Sequence, residues 1–129
     1  MGDQTGYRWK NKQILVVEDD ESSAYLLGEI LRETGAKVNY THDGQEAVAF
    51  MREHPETDLI LMDIHLPEMD GFTATREIKS FAEQVIIIAQ TAYAFSADHQ
   101  QAAMAGCDAF LTKPLNASIL LDKIDRYLT

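Results

Sequence analysis

The chain has 129 residues, is 46% hydrophobic and 25% charged, and contains one cysteine, Cys107. This length suits one domain that buries roughly two-thirds of its unfolded surface around one core, and the composition excludes intrinsic disorder, collagen and an internal disulfide scaffold. Eleven Lys and Arg against 21 Asp and Glu give a net charge of −10, which repels phosphodiester backbones and anionic lipid, so no direct nucleic-acid binding and no membrane contact by this domain are expected. No apolar run approaches the roughly 20 residues that span a bilayer. Residues 1–12 are polar, so no secretory signal is expected, and a cytoplasmic location is.

Residues 1–12, MGDQTGYRWKNK, show no periodicity and hold the only tryptophan, Trp9. They are expected to form a tail or linker with a flexible end, with a domain over 13–129. Gln13–Val17 is a short β-branched run that predicts a strand. A helix follows over about 21–34, with Leu27, Ile30 and Leu31 at helical spacing, Ser22 as a plausible N-cap and Gly35 as its stop. Residues 36–41 read as a more exposed strand. Asp43-Gly44 opens a helix with Ala47, Phe50 and Met51 inward, and Pro55 closes it. Residues 58–62 (DLILM) form a third apolar run. Residues 65–71, with Pro67 and Asp70-Gly71, form a loop before a helix to about Phe81. Residues 85–89 (VIIIA) are the most strand-like run. Ser96 opens a helix ending at Gly106, Ala109–Thr112 is a short strand, and Asn116 caps a last helix bearing Leu120, Leu121, Ile124 and Leu128.

This is βα five times over. Such alternation implies a parallel sheet covered on both faces by helices, and continuous apolar strands agree with burial on two faces. The expected fold class is α/β, a flavodoxin-like doubly wound five-stranded parallel sheet of order 2-1-3-4-5.

In such sheets ligands bind beyond the carboxyl ends of the strands. Strand 1 runs into Glu18-Asp19-Asp20, strand 3 into Asp63, strand 4 into Gln90-Thr91 and strand 5 into Lys113-Pro114. Taken singly these residues have plain explanations: Asp20 reads equally as a helix N-cap, Thr91 as a β-former, Lys113 as a solvated loop residue. Together on one rim they point to a site. Glu18, Asp19 and Asp63 gather like charges, which is costly without a cation; hard oxygen ligands of this kind suit Mg²⁺ with room left for phosphate. Lys113 is a point charge for a phosphoryl oxygen, and Thr91 can donate a hydrogen bond to another. Asp63, on the central strand, is the candidate nucleophile toward phosphorus. The acidic loop after strand 1 speaks against a flavin phosphate site. Asp63-Ile64-His65 lacks the second acid that haloacid-dehalogenase and Toprim chemistry require, and no Walker-type glycine loop is present.

These residues resemble the receiver domain of two-component response regulators over about residues 13–129. The motifs that carry the resemblance are ILVVEDD from Ile14, LMDIHLPEMDG from Leu61, QTAY from Gln90 and GCDAFLTKP from Gly106. The resemblance implies that Asp63 accepts a phosphoryl group from a histidine kinase or histidine phosphotransfer protein. Glu18, Asp19 and Asp63 would hold Mg²⁺ with the backbone carbonyl of His65, while Thr91 and Lys113 would contact the phosphoryl group. Phe110 stands at the family's aromatic switch position, working with Thr91, and Lys113-Pro114 would be a cis peptide. Such a domain promotes only its own phosphotransfer and autodephosphorylation and is not otherwise an enzyme. A homodimer through the fourth helix, fifth strand and fifth helix is possible within the family. His65 and Tyr93, each two residues past a site residue, are expected to influence the phosphoryl lifetime. The acid pair is Glu-Asp rather than Asp-Asp, and Phe110 lacks the hydroxyl of a tyrosine. The linker-like start and the stop after the fifth helix are expected to mark a receiver excised from a hybrid sensor kinase, a stand-alone receiver being the other reading. The alternative function is a degenerate receiver serving only as a docking or dimerisation module.

Overall fold

The computed structural model describes residues 7–66, 69–92, 96–113 and 116–128, with the side chains of 96–98 set aside. Five strands, β1 (Gln13–Val17), β2 (Lys37–Thr41), β3 (Leu59–Asp63), β4 (Ile86–Thr91) and β5 (Ala109–Thr112), alternate with five helices. These are α1 (Glu21–Arg32), α2 (Gly44–Glu53), α3 (Gly71–Phe81), α4 (Ser96–Ala105) and α5 (Ala117–Leu128). Every pairing is parallel and the strand order is β2-β1-β3-β4-β5, as expected. No helix among the described residues is long and apolar enough to cross a membrane.

Strand alternation divides the core in two. Ile14, Val16, Leu59, Leu61, Ile88 and Leu111 pack under α1 and α5 with Leu31, Leu120 and Ile124. Leu15, Val17, Ile60, Met62 and Ile87 face α2 and α3 with Met51 and Ile78. Ala89 and Phe110 continue that second side toward α3 and α4, beside Ala102. Because β1, β3 and β4 are covered on both sides, their runs are apolar throughout rather than alternating.

Three aspartates start the helices that follow β1, β2 and β3. Asp20, Asp43 and Asp70 accept hydrogen bonds from the backbone N–H groups of Ser23, Glu46 and Thr73 at 2.9, 2.8 and 2.9 Å. The cap of α1 is therefore Asp20, not Ser22, which lies inside the first turn; the aspartate stands three residues before the N–H it receives. Gly35, at φ 90°, makes the left-handed turn after α1. Gly28, mid-helix in α1, lies under the phenol of the exposed Tyr40, whose ring would have to shift to admit a side chain there.

Residues 7–12 differ from the expected tail. Trp9 is only 2% exposed and belongs to the α1/α5 side of the core. Its backbone N–H donates to the Thr34 carbonyl at 2.9 Å, and its indole Nε1 donates to Asp125 Oδ1 on α5 at 2.9 Å. The Tyr7 ring lies 5.5 Å from the Trp9 ring, and its hydroxyl donates to Asp122. The absence of periodicity misled because one large aromatic with a satisfied N–H needs no repeat to anchor a segment.

If Trp9 is a core residue, Trp9→Ala should lower stability by about 3–5 kcal/mol. Urea denaturation followed by far-ultraviolet circular dichroism measures this, and an unchanged midpoint would return residues 7–12 to the status of a tail.

Candidate functional site

Parallel pairing brings the carboxyl ends of β1, β3, β4 and β5 to one edge. Continuing each strand's alternation by one or two residues places Glu18 after Val16, Asp63 after Leu61 and Lys113 after Leu111 on the α1/α5 side. Period-2 geometry thus turns three separate strand endings into one cluster. Lys113 Nζ donates to Glu18 Oε1 at 2.8 Å and to Asp63 Oδ2 at 3.1 Å. The other Asp63 oxygen, Oδ1, accepts from the His65 backbone N–H at 2.9 Å. Both Asp63 oxygens are therefore oriented, one by an ammonium and one by the main chain.

The carboxylates are nearly closed off from water, Glu18 at 2% and Asp63 at 5% exposure, while the Lys113 side chain keeps 24%. Burial is the largest influence on Glu18 and pushes its carboxyl above the usual range; the Asp63 charge adds to this and Lys113 opposes it. Burial pulls on Lys113 in the other direction, but the hydrogen bonds and charges of Glu18 and Asp63 outweigh it and hold the ammonium above its ordinary value. Two buried carboxylates share one cation, and the charge is not balanced.

The return of the chain to α3 depends on Gly71. A Cβ there would lie 2.5 Å from the Asp63 carbonyl oxygen and 2.6 Å from Ile64 Cα. Only glycine lets the start of α3 approach the end of β3 this closely, and its N–H donates to the Ile64 carbonyl at 3.2 Å.

Glu18, Asp19 and Asp63 each offer a carboxylate oxygen, all within 4.8 Å of one another. Glu18 and Asp63 are buried and Asp19 is exposed at the mouth. Hard oxygen donors at this spacing, open to solvent on one side, fit a small divalent cation that keeps part of its hydration shell. Asp20 stands apart: the Ser23 hydroxyl and N–H hold its carboxyl below the usual range, so it serves the helix.

Thr91 is wholly buried at the end of β4, and its carbonyl accepts the Lys113 N–H at 2.6 Å. Alternation sets Thr91 with Ala89 on the α3/α4 side, where Phe110 also packs. The Phe110 ring lies 3.9 Å from the imidazole of His99 on α4. His99 is exposed, yet it covers Phe110. Nothing in the spacing of α4 announces this contact, because it crosses between elements. His65 is exposed at the rim, whereas Tyr93 and the Lys113-Pro114 peptide fall outside the described residues.

Comparison with known proteins bears on this arrangement. Residues 14–125 match the profile of the response regulator receiver domain. The polar-differentiation response regulator DivK of Brucella ovis is 35% identical over 119 residues, spanning 91% of this chain and 96% of that protein. The receiver domain of the Saccharomyces cerevisiae response regulator Ssk1, solved with the histidine phosphotransfer signalling protein Ypd1, is 33% identical with a TM-score of 0.85, covering 90% of this chain and 88% of that one. The receiver domain of the Pseudomonas aeruginosa sensor histidine kinase PA1611, solved with a magnesium ion in its active site cleft, is 36% identical with a TM-score of 0.81 and covers 91% and 97%.

Removing the shared cation tests the electrostatics. Lys113→Met should lower stability by about 2–4 kcal/mol at neutral pH, since it strands two buried carboxylates. Glu18 holds its proton to higher pH in the folded protein than in the unfolded chain, so its contribution is fully present below the unfolded pKa and fades as pH rises through the folded one. The deficit of the variant should therefore shrink as pH falls toward about 4. Denaturant titrations across this range measure it, and a deficit independent of pH would contradict the arrangement.

Proposed function

The chain belongs to the response regulator receiver domain family, and from that membership we propose that Asp63 is its phosphoacceptor, loaded by a histidine kinase or histidine phosphotransfer protein. The observation that carries this reading is the convergence on Asp63: an ammonium on one oxygen, a main-chain N–H on the other, and two further carboxylates within 4.8 Å. Nothing in the site favours the degenerate docking module, because each acidic and basic group of the pattern is present and brought together.

In the transfer, an Asp63 carboxylate oxygen forms the new bond to phosphorus as the bond from phosphorus to the donor imidazole nitrogen breaks; the departing ring takes the electron pair and, with a proton already on its other nitrogen, leaves as neutral histidine, giving an acyl phosphate on Asp63. Glu18, Asp19 and Asp63, with the His65 backbone carbonyl, would hold Mg²⁺, which when bound offsets negative charge on the phosphoryl oxygens. Lys113 exchanges its hold on the Asp63 carboxylate for a phosphoryl oxygen. Thr91, at the end of the neighbouring strand, donates to another. The domain thus promotes its own phosphorylation and, when water reaches phosphorus in line, its own dephosphorylation. His65, exposed beside Asp63, is placed to affect the second step.

A partner needs a surface beside this mouth. Helices α1 and α5 both begin at the rim, and their first halves leave Tyr25, Leu26 and Ile119 exposed at 68%, 59% and 59%. An apolar patch next to the phosphoacceptor suits a protein donor. The domain would act in the cytoplasm, where its single thiol stays reduced.

The switch would run through the α3/α4 side. Drawing Thr91 toward the phosphoryl group opens space beside Phe110, and the ring turns inward away from His99. Two packings of similar energy, shifted by the ligand, are all that this requires. The face made by α4, β5 and α5, where Met104 is exposed, would then pair with a second copy.

A labelled small-molecule phosphodonor tests the assignment directly. Wild type should take up label with Mg²⁺, lose uptake in EDTA, and lose it on Asp63→Asn; labelling of that variant at the wild-type level would refute Asp63. Leu26→Glu should slow transfer from a phosphohistidine protein while leaving small-molecule uptake unchanged, and equal slowing of both would remove the docking role.

For the switch, adding beryllofluoride and Mg²⁺ should move the amide resonances around Phe110 and His99 and raise the sedimentation coefficient. Static resonances would eliminate the Thr91–Phe110 route, and a constant coefficient would eliminate the dimer.

A further inference from the structure

Gln90 is wholly buried, and neither its side-chain oxygen nor its nitrogen has a hydrogen-bond partner among the described residues. A buried carboxamide without partners is costly, and an apolar residue at this position, which follows the apolar run 86–89 and lies beside Leu111, would avoid the cost. The residue makes sense if another state of the protein satisfies it.

Its position says which state. Sheet register sets Gln90 beside Asp63 in β3 and beside Leu111 in β5. Its carbonyl accepts the Ile64 N–H at 3.2 Å, which ties it to the exit of the phosphoacceptor strand. Ile86 and Ile88 pack on the α1/α5 side, so alternation places Gln90 there too. That is the side on which Glu18, Asp63 and Lys113 meet. Lys113 lies two residues past Leu111 and is the diagonal neighbour of Gln90, within the span of two long side chains.

We propose that Gln90 is a positioning residue for Lys113: its amide oxygen receives the ammonium when a divalent cation takes over Glu18 and Asp63. This inference rests on the metal reading above. An ammonium has three donors and no acceptor. Two of them are spent on the carboxylates that the cation would claim, at 2.8 and 3.1 Å. A dication among those carboxylates competes for the same oxygens and repels the ammonium. Lys113 then needs an acceptor on its own side of the sheet. A carboxylate at position 90 would bind the cation itself, and an apolar side chain would offer nothing. A neutral amide oxygen receives the lysine without drawing in the metal, which accounts for glutamine. The amide oxygen, without a partner while Lys113 holds the two carboxylates, then gains one, and the exchange favours loading.

Calorimetric titration with Mg²⁺ alone tests this, using wild type, Gln90→Met, Lys113→Met and the double variant. Gln90→Met should melt higher than wild type in EDTA, because it removes the unsatisfied amide. Its Mg²⁺ Kd should rise roughly tenfold, the scale of one hydrogen bond to a charged group. In the Lys113→Met background the same substitution should leave Kd unchanged. A second measurement needs no change at position 90: the Gln90 side-chain amide resonances should move on adding Mg²⁺ to wild type and stay fixed in Lys113→Met. An unchanged Kd in Gln90→Met, the same tenfold loss without Lys113, or Gln90 resonances indifferent to Lys113 would each overturn the inference while leaving the metal site standing. Failure of wild type to bind Mg²⁺ would instead overturn the metal reading, and this inference with it.

Discussion

Everything at the functional edge of this molecule turns on one ammonium between two buried carboxylates. Lys113 bridges Glu18 and Asp63, which are 2% and 5% exposed. Removing such groups from water costs several kcal/mol per ion, and one cation cannot offset two anions and a third at the mouth. The site is therefore left acidic and short of positive charge. That imbalance suits a divalent cation. The same lysine steadies both carboxylates and keeps its side chain 24% exposed.

The rest of the fold keeps these groups in place. β3, which carries Asp63, is buried throughout, and β1, which leads to Glu18, is buried from Ile14 to Val17, while β5 at the sheet edge leads to Lys113 through the buried Leu111. Rigidity of this kind lets a row of side chains converge from strands far apart in sequence, Glu18 and Lys113 being 95 positions apart. Gly71 contributes through absence: without a side chain there, α3 starts against the Asp63 carbonyl, and the Gly71 N–H reaches the Ile64 carbonyl. Asp20, Asp43 and Asp70 fix where three of the helices begin, so much of the acidity of this edge is structural.

Two sides of the sheet carry two different tasks. The α1/α5 side holds the charged cluster, the unsatisfied Gln90 and the Trp9 anchor. The α3/α4 side holds Thr91, Phe110 and the covering His99. Chemistry on one side can reach the other because Asp63 and Thr91 end adjacent strands, and because the Lys113 N–H is bonded to the Thr91 carbonyl at 2.6 Å. Asp63 thus has a short covalent and hydrogen-bonded path to Phe110, with no need for a long chain of packed residues.

By itself the sequence determined the βα alternation, the strand order through the family resemblance, and the candidates Glu18, Asp19, Asp63, Thr91 and Lys113. These were legible because each is written in local pattern: an apolar run reports a two-sided strand, and a polar residue at its end reports the rim. What only the tertiary structure decided were relations across elements. Asp19 and Asp20 are adjacent acids with no local difference, yet one lies in the carboxylate group and the other caps α1. Trp9 looked like part of a tail because its partners, Thr34 and Asp125, are distant in the chain. His99 against Phe110, and a Gln90 side chain with no hydrogen-bond partner among the described residues, depend on which side of a strand faces which helix. Periodicity reports whether a residue is inside or outside; it carries no record of which neighbour it will meet there, and at this site the neighbour fixes the role.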